Sequence, residues 1–304
     1  MKIRNVLLTS AAVLFCKASM SGTTLLSHTW VSGSGSDTNA CSFASPCATF
    51  TGALGKTAAD GIISAKDTGD FGTVIITQSV TIDGANMGSI GFGGAGQGIY
   101  VSQSGSTPVS VILRNLTVNG QGTGSNGIYF AGKGNLTIDN CRIENFTAIG
   151  FEAVSNAAEN VVVTNTVIVG GKLGSYGFLI YLGSGPVQAS LDHVTIQGVA
   201  EAAVMSESGI LEISNSVFTQ SYYAVVANTS STISVESSML TLNTIAVCSY
   251  TGGKIRLENN DIFDNGTGVD NCGGQVKTNG NNRDSGNTSG NPIPAADVSA
   301  TALF

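Results

Sequence analysis

The chain has 304 residues, 42% of them hydrophobic and 11% charged, with a formal net charge of −7. That apolar load with so few charges excludes a disordered chain. The acidic balance excludes the basic footprint that nucleic acid or an anionic membrane surface requires.

Residues 1–18 read as a secretory signal: Lys2 and Arg4 lead a short apolar run that closes near the small residue Ala18. The run is too short to span a bilayer, and no other stretch is a membrane candidate. The expected location is therefore secreted or periplasmic, where disulfides persist. Loss of the signal removes Lys2, Arg4 and Lys17 and deepens the negative charge.

Residues 19–60 read as a strand around Trp30-Val31, a Gly/Ser/Asn loop carrying Cys41 and Cys47, and a helix. Ser45 is placed to cap that helix with Pro46 at its first position, running to Ala59. Such a helix would cover the open apolar end of the segment that follows. Cys41 and Cys47 are expected to pair.

Residues 61–282 repeat. A phrase returns as RNLTV at Arg114, DNCRI at Asp139, TNTVI at Thr164, DHVTI at Asp192, SNSVF at Ser214, ESSML at Glu236 and ENNDI at Glu258. Its second position is Asn115, Asn140, Asn165, His193, Asn215, Ser237 and Asn259, at steps of 25, 25, 28, 22, 22 and 22 residues. A period of that length marks a solenoid. A second phrase, a small residue followed by an apolar one, recurs at Gly127, Gly150, Gly177, Ala203, Ala224, Ala246 and Gly268. Each repeat thus holds three short β-rich runs and no helical period, which predicts an all-β, three-sheet parallel β-helix with one short N-terminal capping helix. Residues 283–304 lose the alternation and read as a loose tail.

The loop cysteines, the helix and the Asn-bearing rungs together resemble secreted bacterial right-handed parallel β-helix proteins of the pectate-lyase-like superfamily, over roughly Thr29 to Asn282. The resemblance is greatest to a subgroup without assigned activity. The superfamily includes polysaccharide lyases, galacturonan hydrolases, uronan epimerases and phage tailspikes, and the fold does not choose among them.

The column Asn115, Asn140, Asn165, His193, Asn215 and Asn259 reads as a structural ladder of amides bonded up the stack. By analogy with the superfamily, the small-apolar phrase is the first sheet, where its enzymes work. Strand alternation then points Ile128, Phe151 and Phe178 inward. It points Tyr100, Tyr129, Glu152, Leu179 and Met205 outward as the candidate ligand-binding residues. On the second sheet Arg256, Glu236, Glu258 and Glu212 form the densest titratable patch, a weak catalytic candidate against the simpler reading of a solvated charged face. Neither the carboxylate cluster of a Ca²⁺-dependent lyase nor the closely spaced acids of a galacturonan hydrolase is present. No cofactor and no metal ion is expected. Gly91–Gly96 fits G-x-G-x-x-G, but a strand rather than a helix follows, so nucleotide binding is rejected.

Cys141 reads as a buried free thiol. Cys248 and Cys272 lie one repeat apart but two positions out of register, and their pairing stays open. The functional expectation is a non-catalytic solenoid that binds an extracellular polysaccharide or cell surface. The alternatives are a lyase-like enzyme with an unrecognised site and a purely structural or adhesive solenoid. The oligomeric state is left open.

Overall fold

The computed structural model describes residues 24–103, 106–154, 159–171, 176–181 and 187–290. The expected signal at 1–18 and the last residues of the expected tail lie outside them.

The described chain is a parallel β-solenoid with a single short α-helix. Every strand pairs in parallel with its counterpart one coil away, as Leu136 does with Val111 on one side and Val161 on the other. A ten-stranded sheet forms the third face. The first and second faces join into one 18-stranded sheet. They join because in two coils, Ala202–Ser214 and Tyr223–Glu236, one strand runs through the corner between them.

Alternation builds the core. In the second sheet the strands Val109–Arg114 and Gly134–Asp139 bury every other side chain. In the third, Ile90, Val118, Ile143, Ile168, Ile196, Phe218, Leu240 and Ile262 stack in register and are buried. In the first, the Phe151 and Phe178 rings stack at 4.7 Å inside the coil. The small residue of the second phrase has a steric cause: a Cβ on Gly127 would lie 2.5 Å from the Gly150 carbonyl oxygen and 2.6 Å from Ile143 Cγ2.

The Asn turn also has a backbone cause. Asn115, Asn140, Asn165, His193, Asn215, Ser237 and Asn259 all take left-handed φ between 48° and 57°, the region that Asn tolerates best after Gly. The expected ladder of amides bonded up the stack is only partly of that form. All but the half-buried Asn115 are exposed, and their amides reach several acceptors. Asn140 donates to Asn115 Oδ1 at 2.8 Å, Asn165 to Asp139 Oδ1 at 3.0 Å, Asn215 to Asp192 Oδ1 at 2.8 Å and Asn259 to Ser237 Oγ at 3.1 Å. His193 pairs through Nδ1 with Asp192. The bonds from Asn215, Ser214 and His193 hold the Asp192 carboxyl down to about 2.

Two buried ladders flank the third sheet, one at the far end of its strands and one next to the Asn turn. Asn243 donates through its backbone N and through Nδ2 to Asn265 Oδ1, and Asn265 does the same to Asn287 Oδ1, at 2.8–3.1 Å. One residue past the Asn turn, Ser216, Ser238, Asn260 and Asn282 form a second file, each bonded to the next.

Three boundaries differ from expectation. The helix is only Phe50–Leu54, capped by Thr49, whose hydroxyl accepts from Gly52 N at 2.9 Å. Pro46 cannot open a helix because the chain beside it is held extended: Cys47 N donates to Trp30 O and Ser32 N to Cys47 O. The first solenoid strand, Thr57–Ala65, starts earlier than 61. At the other end Arg283–Ser285 pairs with Asp261–Phe263, so the coil continues past 282 where a loose tail was expected.

Cys41 and Cys47 are bridged, with Cα atoms 4.7 Å apart. Cys248 and Cys272 are bridged as well, at 5.6 Å. Register distance overstated that gap, because the chain leaves the strand after Asp270 and Cys272 takes φ 43°, turning back toward the coil below. Cys141 is free and buried, its thiol pushed up to about 12 by burial. No helix among the described residues is long and apolar enough to cross a membrane.

Candidate functional site

The strands that carry the first face put one outward residue per coil into a single file. In register it runs Ile75, Tyr100, Tyr129, Glu152, Leu179, Met205, Val226, Cys248, Asp270. The phase predicted from alternation is the one observed, since Ile99, Ile128 and Phe151 beside these residues are fully buried.

The file divides into an open and a covered half. At the open end Ile75 is 61% exposed, and the half-buried Tyr100 and Tyr129 rings meet edge to face at 5.3 Å. Glu152 stands next to Tyr129 in register and accepts from Asn126 Nδ2 at 2.5 Å. Burial raises the Glu152 carboxyl, against the pull of that amide. Burial also raises the Tyr129 hydroxyl, helped by the charges of Glu152 and Glu159.

At the covered end Val226 and Cys248 are buried although they point out of the coil. Tyr223 before the file and Tyr250 after it join hydroxyls at 3.2 Å, so the two side chains span the sheet there. Leu179 is also buried, which removes it from the expected ligand-binding set, while Met205 stays half-buried. The exposed ring nearest Leu179 in sequence is Tyr181, two positions along the same strand.

The second-sheet charges fall where alternation put them. Arg256 registers with Ser234 and through it with Glu212, and Glu236 registers with Glu258. All four are exposed. A flat, solvated row of this kind does not enclose a reacting bond, so the geometry favours the charged-face reading. Among the described residues no group of three His, Cys, Asp or Glu side chains is placed to hold a metal ion.

One charged residue was missed. Glu159 opens the strand Glu159–Thr164 in phase with the buried Val161 and Val163, and is itself only 3% exposed. Neither carboxylate oxygen accepts a hydrogen bond of normal geometry, although the Gly132 backbone N–H acts on the group. Burial pushes its pKa up to about 8; the Gly132 N–H pulls slightly the other way. It borders a groove of about 380 Å³ with Pro108, Lys133, Asn135, Asn160 and Gln188. The signal was present in the alternation, which puts a carboxylate on the inward side of a strand.

A family model for the right-handed β-helix region matches residues 62–189. Among solved structures the chain is similar to pectate lyase Pel9A, at 13% identity over 91% of this chain and 85% of that one, with a TM-score of 0.61. It is similar more loosely to the A-module of the Azotobacter vinelandii mannuronan C-5 epimerase AlgE4. There the identity is 14% over 77% of this chain and 89% of that one, with a TM-score of 0.49. At such identities the likeness is one of fold. No curated protein matches the chain in sequence.

Proposed function

We propose that this right-handed parallel β-helix, similar in fold to pectate lyase Pel9A, binds polysaccharide through the outward face of its first sheet without cleaving it. The observation that carries this reading is the Tyr100–Tyr129 pair, two rings set edge to face beside the exposed Ile75. Aromatic side chains with one apolar face and one polar tip suit sugar rings, which present C–H faces and hydroxyl edges. Glu152 and Asn126 at the end of the pair supply the hydrogen bonds that fix orientation. The two disulfides support an exported protein. Wild-type protein run through gels containing a panel of plant and bacterial polysaccharides should be retarded by at least one of them. Overnight incubation with that polymer should leave its length and absorbance unchanged.

A second reading is favoured by one observation. Tyr129 feels two carboxyls, Glu152 and Glu159, both raised by burial, that of Glu159 to about 8. A proton donor beside a proton acceptor is the minimum for cleaving a glycosidic bond. New chain ends or unsaturated products from the retarding polymer, abolished by Glu152→Gln, would establish this reading in place of the first.

A further inference from the structure

The groove at the corner of the first and second sheets lies off the file of Tyr100 and Tyr129. Its wall is the outward face of the second sheet, where Asn135, Asn160 and Gln188 stack in register on three successive coils. Such neighbours stand ~4.8 Å apart. All three amides are exposed, as are Lys133 and Pro108 at the rim. The Glu159 carboxyl is nearly wholly buried at its border, with no hydrogen bond of normal geometry to either oxygen. Buried polar atoms in that state cost free energy that a ligand or water recovers by supplying the missing partner.

We infer that this groove is a second carbohydrate subsite, built for an uncharged sugar unit. Each amide offers an N–H donor and a C=O acceptor, and a protonated carboxyl offers both as well. Sugar hydroxyls are themselves donor and acceptor, so they satisfy every group in the set. An anionic group could use the donors alone and would leave the three amide carbonyls and the Glu159 C=O facing negative charge. Lys133 is the single cation among the lining residues, and the chain as a whole carries a formal charge of −7. Pro108 provides an apolar wall for the C–H face of the ring. The protonation of Glu159 keeps the groove neutral at its floor up to about pH 8.

The inference shares the carbohydrate reading given above but uses none of the first-sheet residues Ile75, Tyr100, Tyr129, Glu152 and Asn126 that carry it, so the two fail separately. Calorimetric titration of the full chain with maltohexaose, cellohexaose, xylohexaose and hexagalacturonate tests it. A neutral hexasaccharide should bind, should still bind the Tyr100→Ala/Tyr129→Ala variant, and should lose about tenfold in affinity on Asn160→Ala. Wild-type affinity should fall between about pH 6 and about pH 9.5, as Glu159 loses its proton, and Glu159→Gln should bind equally at both. Tighter binding of hexagalacturonate than of any neutral sugar would overturn the inference. So would neutral-sugar binding that is lost in the Tyr variant and untouched by Asn160→Ala, an outcome that leaves the first-sheet reading standing. Absence of binding by every neutral probe would overturn the inference, while retardation by a polysaccharide of the gel panel would leave the first-sheet reading standing.

Discussion

Cys248 and Cys272 are bridged with their Cα atoms 5.6 Å apart, tying one coil to the next near the C-terminal end. The bridge closes a loop of 24 residues, a length for which chain entropy gives stabilisation of about 3 kcal/mol. Cys272→Ser should therefore lower stability by that order, with protection against hydrogen exchange lost first in Lys254–Glu258 and Gln275–Thr278. Uniform loss across the solenoid, or none, would show that the bridge is not what holds those coils.

The two kinds of Asn should respond oppositely to substitution. Asn140 is exposed with φ 50°, so Asn140→Gly should stay within about 1 kcal/mol of wild type. Asn265 is buried, donates to the carbonyls of Leu240 and Phe263 and to Asn287 Oδ1, and accepts from Asn243. Asn265→Ala orphans all of these and should cost about 3 kcal/mol or more in chemical denaturation. Equal costs would mean that the exposed column, not the buried one, holds the turns.

Glu159 should make stability fall with pH. Its carboxyl binds a proton more tightly in the folded state, at about 8 against 4.5 for the free group. The contribution is therefore whole below about pH 4.5 and is lost progressively as pH rises to about 8. Glu159→Gln, which cannot ionise, should match wild type in acid and exceed it by a few kcal/mol in mild alkali, on the order given by the shift. Parallel stability curves for the two proteins would show that the Glu159 carboxyl is already hydrated.

Much of the fold was legible because a solenoid repeats its constraints. The left-handed turn returns at Asn115, Asn140 and Asn165, and the small residue at Gly127, Gly150 and Gly177 fixes the phase of the first sheet. That phase placed Tyr100 and Tyr129 outward. What escaped depends on exposure, which register alone does not give. Asn in the left-handed position and Asn in the buried file recur at the same period, and only burial tells Asn140 from Asn260. Leu179 has the right phase but is buried, and Cys272 reaches its partner through a bend after the strand ends. The helix shrank because Cys47 was already committed to pairing with the strand at Trp30. Glu159 escaped because a carboxylate does not stand out as an inward position of its strand until its burial is seen.

The outward pair on the first sheet is the heart of the account, and one comparison tests it. Titrating the polysaccharide that retards the wild-type chain against wild type and against Tyr100→Ala/Tyr129→Ala measures its worth. Removing two stacking rings should weaken binding by about tenfold or more, at roughly 1 kcal/mol or more per ring. The circular dichroism and the unfolding midpoint should stay close to wild type, since neither ring belongs to the buried core. Unchanged affinity in a folded double variant would contradict the account.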